Sequence, residues 1–178
     1  MKNKKIVITG GPGFGKTSII RSLKKEFHST PDYARMIIDK EGLIPSKEHL
    51  KFQSRWLEKM SDGYFNSNSD TTLFEYGFPD IIAYFRWRDG KDYKIQNKFL
   101  DAARKYRFDE VFIVSPIDEK HFQNDYARIF TFKKSLEVHK EICSVWLEYN
   151  YDPIYIPNIS LENRLRFIRK DLRSEIIE

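Results

Sequence analysis

Eight consecutive residues near the start of the chain, from Gly10 to Thr17, match the pattern G-x-x-x-x-G-K-[ST] in full. Glycines at these positions let successive backbone N–H groups turn inward around an anionic phosphate group. In a loop of this kind Lys16 reaches the β- and γ-phosphates of a nucleoside triphosphate, and the Thr17 hydroxyl is a ligand of Mg²⁺. The spacing therefore predicts a phosphate-binding loop for ATP or GTP with Mg²⁺, whose residues are Gly11, Pro12, Gly13, Phe14, Gly15, Lys16, Thr17 and Ser18.

The sequence on both sides of this loop suits the same function. An apolar strand is predicted from Lys4 to Thr9, and an amphipathic helix is predicted from about Lys16 to Phe27. The N-terminus of that helix would add unpaired N–H groups and the positive end of the helix dipole to the phosphate site. This context disfavours a glycine-rich turn without a ligand. Phe14 is large for the crest of such a loop, and it either packs against the core or covers the phosphates or the base.

Helix and strand signals alternate along the rest of the chain, which predicts an α/β fold with a mainly parallel sheet. The polar segment from Asp62 to Asp70 predicts a loop. Further strands are predicted near residues 27–31, 71–75, 110–115 and 153–156. Further helices are predicted near residues 32–40, 46–60, 79–88, 92–105, 132–148 and 161–174.

The composition is that of a soluble protein with a core of ordinary size. The chain has 178 residues, of which 40% are apolar and 32% are charged, and this length suits a single domain over residues 1–178. No apolar run approaches the roughly 20 residues that span a bilayer, and no signal peptide is evident. The single Cys143 cannot form an internal disulfide, and it has no metal-ligand spacing with the histidines. These features predict a cytoplasmic protein without a membrane partner.

The net charge of +5 raises the question of a nucleic-acid partner. The basic residues are scattered among acidic ones, and the densest basic segment, Arg164 to Arg173, alternates with leucine and isoleucine at helical spacing. We interpret this segment as the solvated face of a terminal helix, so a nucleic-acid partner is not expected. A small anionic substrate would explain the positive charge equally well.

Three segments of the chain resemble one known group of proteins. Residues Ile8 to Gly13, Pro31 to Arg35, and Phe74 to Asp80 followed by Tyr84 resemble the bacterial AAA-domain-type ATPase/kinase-like P-loop family. That family is similar to the nicotinamide-riboside-kinase domain of the bacterial NAD regulator and, more distantly, to nucleoside and nucleotide kinases. The later residues 106–115, 125–128 and 135–149 fit the same family, so the resemblance covers nearly the whole chain.

The resemblance implies a three-layer fold, with a five-stranded parallel sheet of order 2-3-1-4-5 and helices on both faces. Ligands would then bind at the carboxyl ends of the strands. It also implies that Asp32 follows the second strand and faces the acceptor site together with Arg35. Glu75 would end the third strand beside Mg²⁺, and Arg128 would be a cation of a lid over the transferred phosphoryl group.

Each of these acceptor-side roles has a structural alternative. Asp32 is either the catalytic base that takes a proton from an acceptor hydroxyl, or the N-cap of the next helix. Arg35 either binds substrate or pairs with Asp32. Glu75 either contacts Mg²⁺ or is a solvated strand end. Arg128 either acts as the lid cation or is simply solvated.

The segment after the third strand carries the remaining candidates. Asp80 and Tyr84 are one helical turn apart, and they either contact substrate or make structural hydrogen bonds. Phe52, Arg55 and Trp56 are candidates for lining an acceptor pocket, and the alternative for Phe52 and Trp56, four residues apart, is the core. Tyr76 is a further substrate candidate, because it stands where the family has an arginine and so removes a positive charge near the acceptor.

The function expected from these residues is Mg²⁺-dependent phosphoryl transfer from ATP to a hydroxyl of a small nucleoside-like acceptor. The alternative is a switch or regulatory ATPase that hydrolyses ATP or GTP without a small acceptor. Tyr76 in place of arginine favours that alternative to some extent. A nucleic-acid-binding module is a third and weaker hypothesis.

Overall fold

The computed structural model describes residues 3–123 and 130–174, and within them the strands form one parallel five-stranded sheet. The strand order is β2-β3-β1-β4-β5, which confirms the predicted order. In chain order the strands are β1 (Lys4–Thr9), β2 (His28–Ser29), β3 (Thr71–Glu75), β4 (Glu110–Val114) and β5 (Ile154–Ile156). Because all five run parallel, their carboxyl ends meet at one edge of the sheet, which is where ligands bind in such folds.

Helices cover both faces of this sheet. They are α1 (Lys16–Leu23), α2 (Tyr33–Glu41), α3 (His49–Asn66), α4 (Phe78–Asp89), α5 (Asn97–Lys105), α6 (Phe132–Glu148) and α7 (Leu161–Ser174). Helices α1 and α7 pack together on one face, while α2 to α6 form a chain of neighbours on the other. This arrangement confirms the predicted three-layer α/β architecture.

The central strand β1 shows why both faces are covered. Ile6 and Ile8 point into the core beneath α1 and α7, whereas Val7 points into the larger core beneath α4 and α6, and all three side chains have no exposed surface. Successive side chains of a strand point to opposite faces, so an unbroken apolar run requires burial on both sides. The larger core is strongly aromatic, and several of its side chains, including Phe52 and Trp56, also line a cavity.

Three predicted boundaries are wrong by several residues. Helix α1 ends at Leu23, where Glu26 and Phe27 turn back to its carbonyl oxygen. Helix α5 begins only at Asn97, after the turn that follows Gly90. Helix α3 continues to Asn66 through part of the polar segment that predicted a loop.

The extension of α3 has a tertiary cause. The Tyr64 ring packs edge-on against Phe78 and Phe108, and its hydroxyl donates to the Arg107 carbonyl oxygen at 2.7 Å. These contacts stabilise a helical turn that its own polar residues do not favour, because tertiary packing overrides local propensity.

No helix of the described chain, residues 3–123 and 130–174, combines the length and the apolar character that crossing a membrane requires. The cytoplasmic location and the single-domain organisation stay predictions.

Candidate phosphate-binding loop and acceptor cavity

The predicted phosphate-binding loop joins the carboxyl end of β1 to the N-terminus of α1. Gly10 and Gly15 have φ angles of 133° and 91°, in the left-handed region that side chains rarely adopt. A Cβ atom on Gly10 would also lie 2.8 Å from the Val114 carbonyl oxygen of the neighbouring strand β4. Glycine is therefore required at the start of the loop for both conformation and space.

The Lys16 ammonium lies at the centre of this loop and is almost completely buried, with 3% of the residue exposed. Its Nζ atom donates to the carbonyl oxygens of Gly10 at 2.9 Å and Gly11 at 2.8 Å. The same atom lies 4.5 Å from the centroid of the Tyr76 ring, a distance at which the ring face attracts a cation. A phosphate oxygen that entered the loop would meet a positive charge already held in place.

The two predicted magnesium ligands are in direct contact. Thr17 Oγ1 donates to Glu75 Oε1 at 2.7 Å, and Glu75 is only 3% exposed. The pairing of Ile8 with Glu75 places this carboxylate at the carboxyl end of β3, beside the loop. A carboxylate and a hydroxyl oxygen are hard ligands of the kind that Mg²⁺ prefers, so these residues fit the metal.

Two ligands from the protein do not complete a coordination shell. Within residues 3–123 and 130–174, no group of three or more His, Cys, Asp and Glu side chains is arranged to hold a metal ion. Magnesium usually keeps several waters and binds through one or two protein ligands together with substrate phosphates. The pair therefore suits a metal that arrives with a nucleotide.

Phe14 packs against the core, which decides between its two alternatives. Its side chain has no exposed surface, and its ring lies 5.5 Å from the His139 ring and 6.3 Å from the Phe132 ring of α6. His139 Nδ1 also accepts a hydrogen bond from the Gly11 backbone N–H at 3.3 Å. Burial, together with the nearby Lys16 charge, lowers the pKa of His139 to about 4, so the imidazole is neutral and able to accept at pH 7.

Arg164 supports the loop from the opposite side, and here the sequence interpretation was wrong. The residue is 5% exposed, and its guanidinium donates to the carbonyl oxygens of Phe14 at 3.0 Å and Ile159 at 2.9 Å. The neighbouring Arg166 and Arg169 lie at the surface, where they pair with acidic side chains, as a solvated face requires. Arg164 precedes the buried Ile168 by four residues, so the two lie on the same face of α7. That spacing was the sequence signal that could have indicated a buried arginine.

Asp80 is enclosed, which favours its structural alternative over substrate contact. The residue has no exposed surface, and it accepts hydrogen bonds from Thr9 Oγ1 at 2.7 Å, the Gly77 N–H at 2.6 Å and Trp146 Nε1 at 3.0 Å. Burial raises the pKa of this carboxyl to about 6 despite these three donors. Asp80 thus ties β1, the start of α4 and α6 together behind the loop.

Asp32 caps a helix and Arg35 lies beside its carboxylate, which are the structural alternatives to their predicted roles at the acceptor. Asp32 is the N-cap of α2, and its Oδ1 accepts from the Arg35 backbone N–H at 3.0 Å. The Arg35 Nε atom lies 3.8 Å from the other carboxylate oxygen, Oδ2. Capping engages one oxygen of the carboxylate, so it does not exclude a role of Asp32 toward an acceptor. Arg128 lies outside the described residues.

A cavity of about 550 Å³ lies next to the loop, between α2, α3 and α4. Tyr76 and Tyr84 line it, and their hydroxyl oxygens are 3.4 Å apart. Phe52 and Trp56 of α3 line it as well, so they belong both to the core and to the cavity wall. Arg55 is not among the lining residues, and it pairs instead with acidic side chains of α2 and α3. Tyr76 has a φ angle of 69°, a rare conformation for an aromatic residue, which turns the chain sharply at the end of β3.

Sequence reasoning missed several residues of this cavity. Gln53, His49 and Arg88 line it, although none of them was a candidate. Gln53 is 1% exposed and lies between Phe52 and Trp56 on the buried side of α3. A polar residue within an apolar helical stripe was the signal that could have identified it.

Comparison with known proteins agrees with the fold that positions these residues. Among solved structures, the deoxyadenosine kinase of M. mycoides has a TM-score of 0.72 at 15% identity, over 96% of this chain and 98% of that chain. The thymidylate kinase of Ehrlichia chaffeensis has a TM-score of 0.61 at 14% identity, over 97% of this chain and 100% of that one. Identities this low establish the shared fold.

A NadR protein, solved in complex with NR, has a TM-score of 0.71 at 15% identity and is covered over 46% of its length by 88% of this chain. The chain thus spans about half of that protein. No curated protein matches the sequence significantly. The model of one protein family, described as an AAA domain, matches residues 5–164. The chain, with its kinase-like P-loop fold, belongs to this AAA-domain family.

Proposed function

We propose that this protein is a kinase that transfers a phosphoryl group from ATP to a hydroxyl group of a small nucleoside-like acceptor, with Mg²⁺. One observation carries the proposal: the phosphate loop and the cavity share a wall. Lys16 Nζ lies 4.5 Å from the Tyr76 ring, and the same ring lines the cavity. The cavity volume of about 550 Å³ lies within the range of roughly 300–1,000 Å³ that is usual for small-molecule sites.

On the donor side, the backbone N–H groups of the loop and Lys16 would hold the phosphates of ATP, or of GTP in its place. Thr17 and Glu75 would hold Mg²⁺, which supplies positive charge against the charge of the transferred group when it is bound. The neutral His139 and the buried Arg164 keep the loop in shape through Gly11 and Phe14. These two residues would take no part in the phosphoryl transfer itself, because their role is to fix where the phosphates bind.

On the acceptor side, Asp32 would take the proton of the acceptor hydroxyl as the phosphoryl group is transferred. Its helix α2 contributes Ala34 to the cavity wall, so the carboxylate at the start of that helix lies near the cavity. Arg35, Tyr76 and Tyr84 would contact the acceptor, and Arg128 would supply a lid cation. Aromatic walls suit a planar heterocycle, and the similar folds of a deoxyadenosine kinase and of a NadR protein in complex with NR support an acceptor of this class.

The competing function is a switch that hydrolyses the nucleotide without a small acceptor. Tyr76 favours it, because the ring supplies no fixed positive charge at the end of β3. The cavity argues against it, since a switch needs no enclosed site of this size beside the loop. The kinase is therefore the better account of the two regions together.

Turnover of ATP with and without acceptors tests the proposal. We expect slow ADP release with ATP and Mg²⁺ alone, and acceleration by orders of magnitude when the correct nucleoside from a broad panel is added. Correct placement of an acceptor is worth about 7–11 kcal/mol of the barrier, and water gains none of that advantage. Steady hydrolysis that no nucleoside changes, and that Asp32→Asn does not alter, would reject the kinase and favour the switch.

A further inference from the structure

Three residues of the cavity wall have a buried polar atom that lacks a hydrogen-bond partner among residues 3–123 and 130–174: His49 Nε2, Gln53 Oε1 and Trp56 Nε1. His49 Nε2 lies 3.5 Å from the Asp89 carboxylate, which leaves the atoms of Gln53 and Trp56 for a ligand. The two residues are only 1% and 2% exposed, so bulk water does not satisfy them. Buried polar groups in proteins are almost always hydrogen-bonded, and each exception calls for an explanation. Both residues line the cavity beside the phosphate loop.

The other two tryptophans show that the fold can satisfy an indole N–H. Trp146 Nε1 donates to Asp80 Oδ1 at 3.0 Å, and Trp87 Nε1 lies 3.4 Å from Glu137 Oε2. Both of these donors therefore have a carboxylate partner. Trp56 has none in the described chain, although it lies deeper in the molecule than Trp87.

Gln53 and Trp56 lie on the same helix, and packing fixes the Trp56 ring. They are three residues apart on α3, so they share one face of the helix. The Trp56 ring makes edge-to-face contacts with Tyr76 at 5.4 Å and with Tyr84 at 5.6 Å, which hold the direction of its N–H. The Trp56 N–H is thus held in place before a ligand binds, and such prearrangement reduces the entropy that binding would lose.

The chemistry of the pair defines its ligand. An indole nitrogen can only donate, and an amide oxygen can only accept. The complementary ligand therefore presents an acceptor for Trp56 and a donor for Gln53 on one edge. The aromatic side chains around them favour a planar group.

The charges around the cavity favour an uncharged group. The described residues that line it include Arg88 and Lys134 but no aspartate or glutamate, so a cation is not favoured there. Arg88 is engaged with the carbonyl oxygens of Pro45 at 2.7 Å and Ser46 at 3.3 Å, and Lys134 is exposed to solvent, so both are poor anchors for an anion.

We propose that Gln53 and Trp56 form a subsite that selects the acceptor by the hydrogen-bonding edge of a neutral nucleobase, with an amino donor next to a ring-nitrogen acceptor. This inference rests on the proposed function only where it names the ligand as the phosphoryl acceptor. The binding of a nucleobase at Gln53 and Trp56 is a separate claim. Adenine and cytosine carry such an edge.

Calorimetry without ATP tests the subsite directly. The probes are two matched pairs: adenosine with purine riboside, and cytidine with pyrimidin-2-one riboside, where each second member lacks only the exocyclic amino group. For the pair that the protein binds, we expect the amino group to improve the affinity about tenfold, as one buried hydrogen bond does. In Gln53→Met the two members should bind equally. Gln96→Met, at an exposed glutamine before α5, is the matched control and should retain the full difference.

Thermal unfolding separates recognition from a structural role. Gln53→Met removes an oxygen that has no partner, so the Tm without ligand should stay the same or rise, whereas loss of a structural hydrogen bond would lower it. Trp56→Phe removes the second group and should weaken both members of a pair alike, because each keeps the ring nitrogen. Equal discrimination in Gln53→Met and in the unchanged protein, a lowered Tm, or no binding of any probe would overturn the proposal.

The experiment also separates this proposal from the kinase proposal. Base-selective binding that depends on Gln53, combined with no phosphoryl transfer, would reject the kinase and retain the subsite. Phosphoryl transfer to nucleosides with no dependence on Gln53 would retain the kinase and reject the subsite.

Discussion

The phosphate loop and the acceptor cavity meet at Tyr76, yet they are built on different principles. The loop consists of consecutive residues, acts largely through its backbone, and has its Lys16, Thr17 and Glu75 groups paired with one another or with loop carbonyls. The cavity is assembled from side chains of separate helices, and the buried Gln53 Oε1 and Trp56 Nε1 atoms in its wall have no hydrogen-bond partner in the described residues. The loop is suited to binding phosphate groups, which all nucleotides share. The cavity is suited to distinguishing one acceptor from another.

The largest effect should come from the loop itself. Lys16→Ala removes the side-chain cation that our assignment places within the phosphate loop, and removal of one group that stabilises developing charge typically costs about 10²–10³ in rate. We expect turnover to fall by that factor and ATP affinity to fall with it, as measured by steady-state kinetics and calorimetry. Lys24→Ala, at an exposed lysine just after α1, is the control. Unchanged ATP affinity and turnover in Lys16→Ala would refute the phosphate loop.

A change on the acceptor side should separate the two regions. Asn caps helices as well as Asp does, so Asp32→Asn retains the hydrogen bond to the Arg35 N–H while it removes the base. We expect about a 10²-fold loss of the acceptor-dependent rate with ATP affinity nearly unchanged, since general base catalysis contributes about 10²–10⁴. Asp32→Ala serves as the comparison, because it should also lower stability by about 1 kcal/mol through loss of the cap. An Asp32→Asn variant with full acceptor-dependent activity would leave Asp32 with capping alone.

Acid should destabilise the protein by protonating His139, which accepts a hydrogen bond from the loop. The pKa of His139 is about 4 in the folded protein against 6.5 for an unperturbed histidine, so the unfolded chain binds more protons between these values. Stability from this group is present above pH 6.5 and is lost as the pH falls, by about 2 kcal/mol at pH 5. His139→Asn should remove this part of the pH dependence in denaturant unfolding, because its amide oxygen accepts from Gly11 without titrating.

Burial also lowers the pKa of His49 to about 4. Because His49 is present in both proteins, it provides the internal reference for the same pH range. The raised pKa of Asp80 acts with the opposite sign between pH 4 and 6, and it too is unchanged. The difference between the two proteins therefore isolates His139. An identical pH dependence in both would show that His139 does not lose its proton on folding.

The smallest effect should come from the metal pair. Glu75→Gln retains an oxygen that accepts from Thr17 but removes the negative charge offered to Mg²⁺. We expect the Mg²⁺ concentration for half-maximal ATP binding to rise about tenfold, equivalent to roughly 1.4 kcal/mol. EDTA should weaken ATP binding to the unchanged protein more than to the variant. Equal responses to EDTA would exclude Glu75 from the metal site.

The contrast between the two regions also explains what the sequence could predict. The loop lies within one eight-residue motif, and the order of the strands followed from the family resemblance, so both could be stated in advance. The burial of Asp80 could not be predicted, because its hydrogen-bond donors Thr9 and Trp146 are 71 and 66 residues away in the sequence. The sequence did carry a signal for the position of Gln53 within an apolar helical stripe, but none for its lack of a hydrogen-bond partner, which depends on residues from other helices that only the fold brings near it.

Transfer of a labelled γ-phosphate tests most directly whether the two regions form one active site. The protein is incubated with γ-labelled ATP and Mg²⁺, with and without adenosine, cytidine and the wider nucleoside panel, and the label is separated into nucleoside phosphate and inorganic phosphate. Our account predicts that with the correct acceptor most of the label appears on the nucleoside, and that Lys16→Ala and Asp32→Asn each abolish most of this transfer. Label that appears only as inorganic phosphate, at one rate whether or not a nucleoside is present, would contradict it.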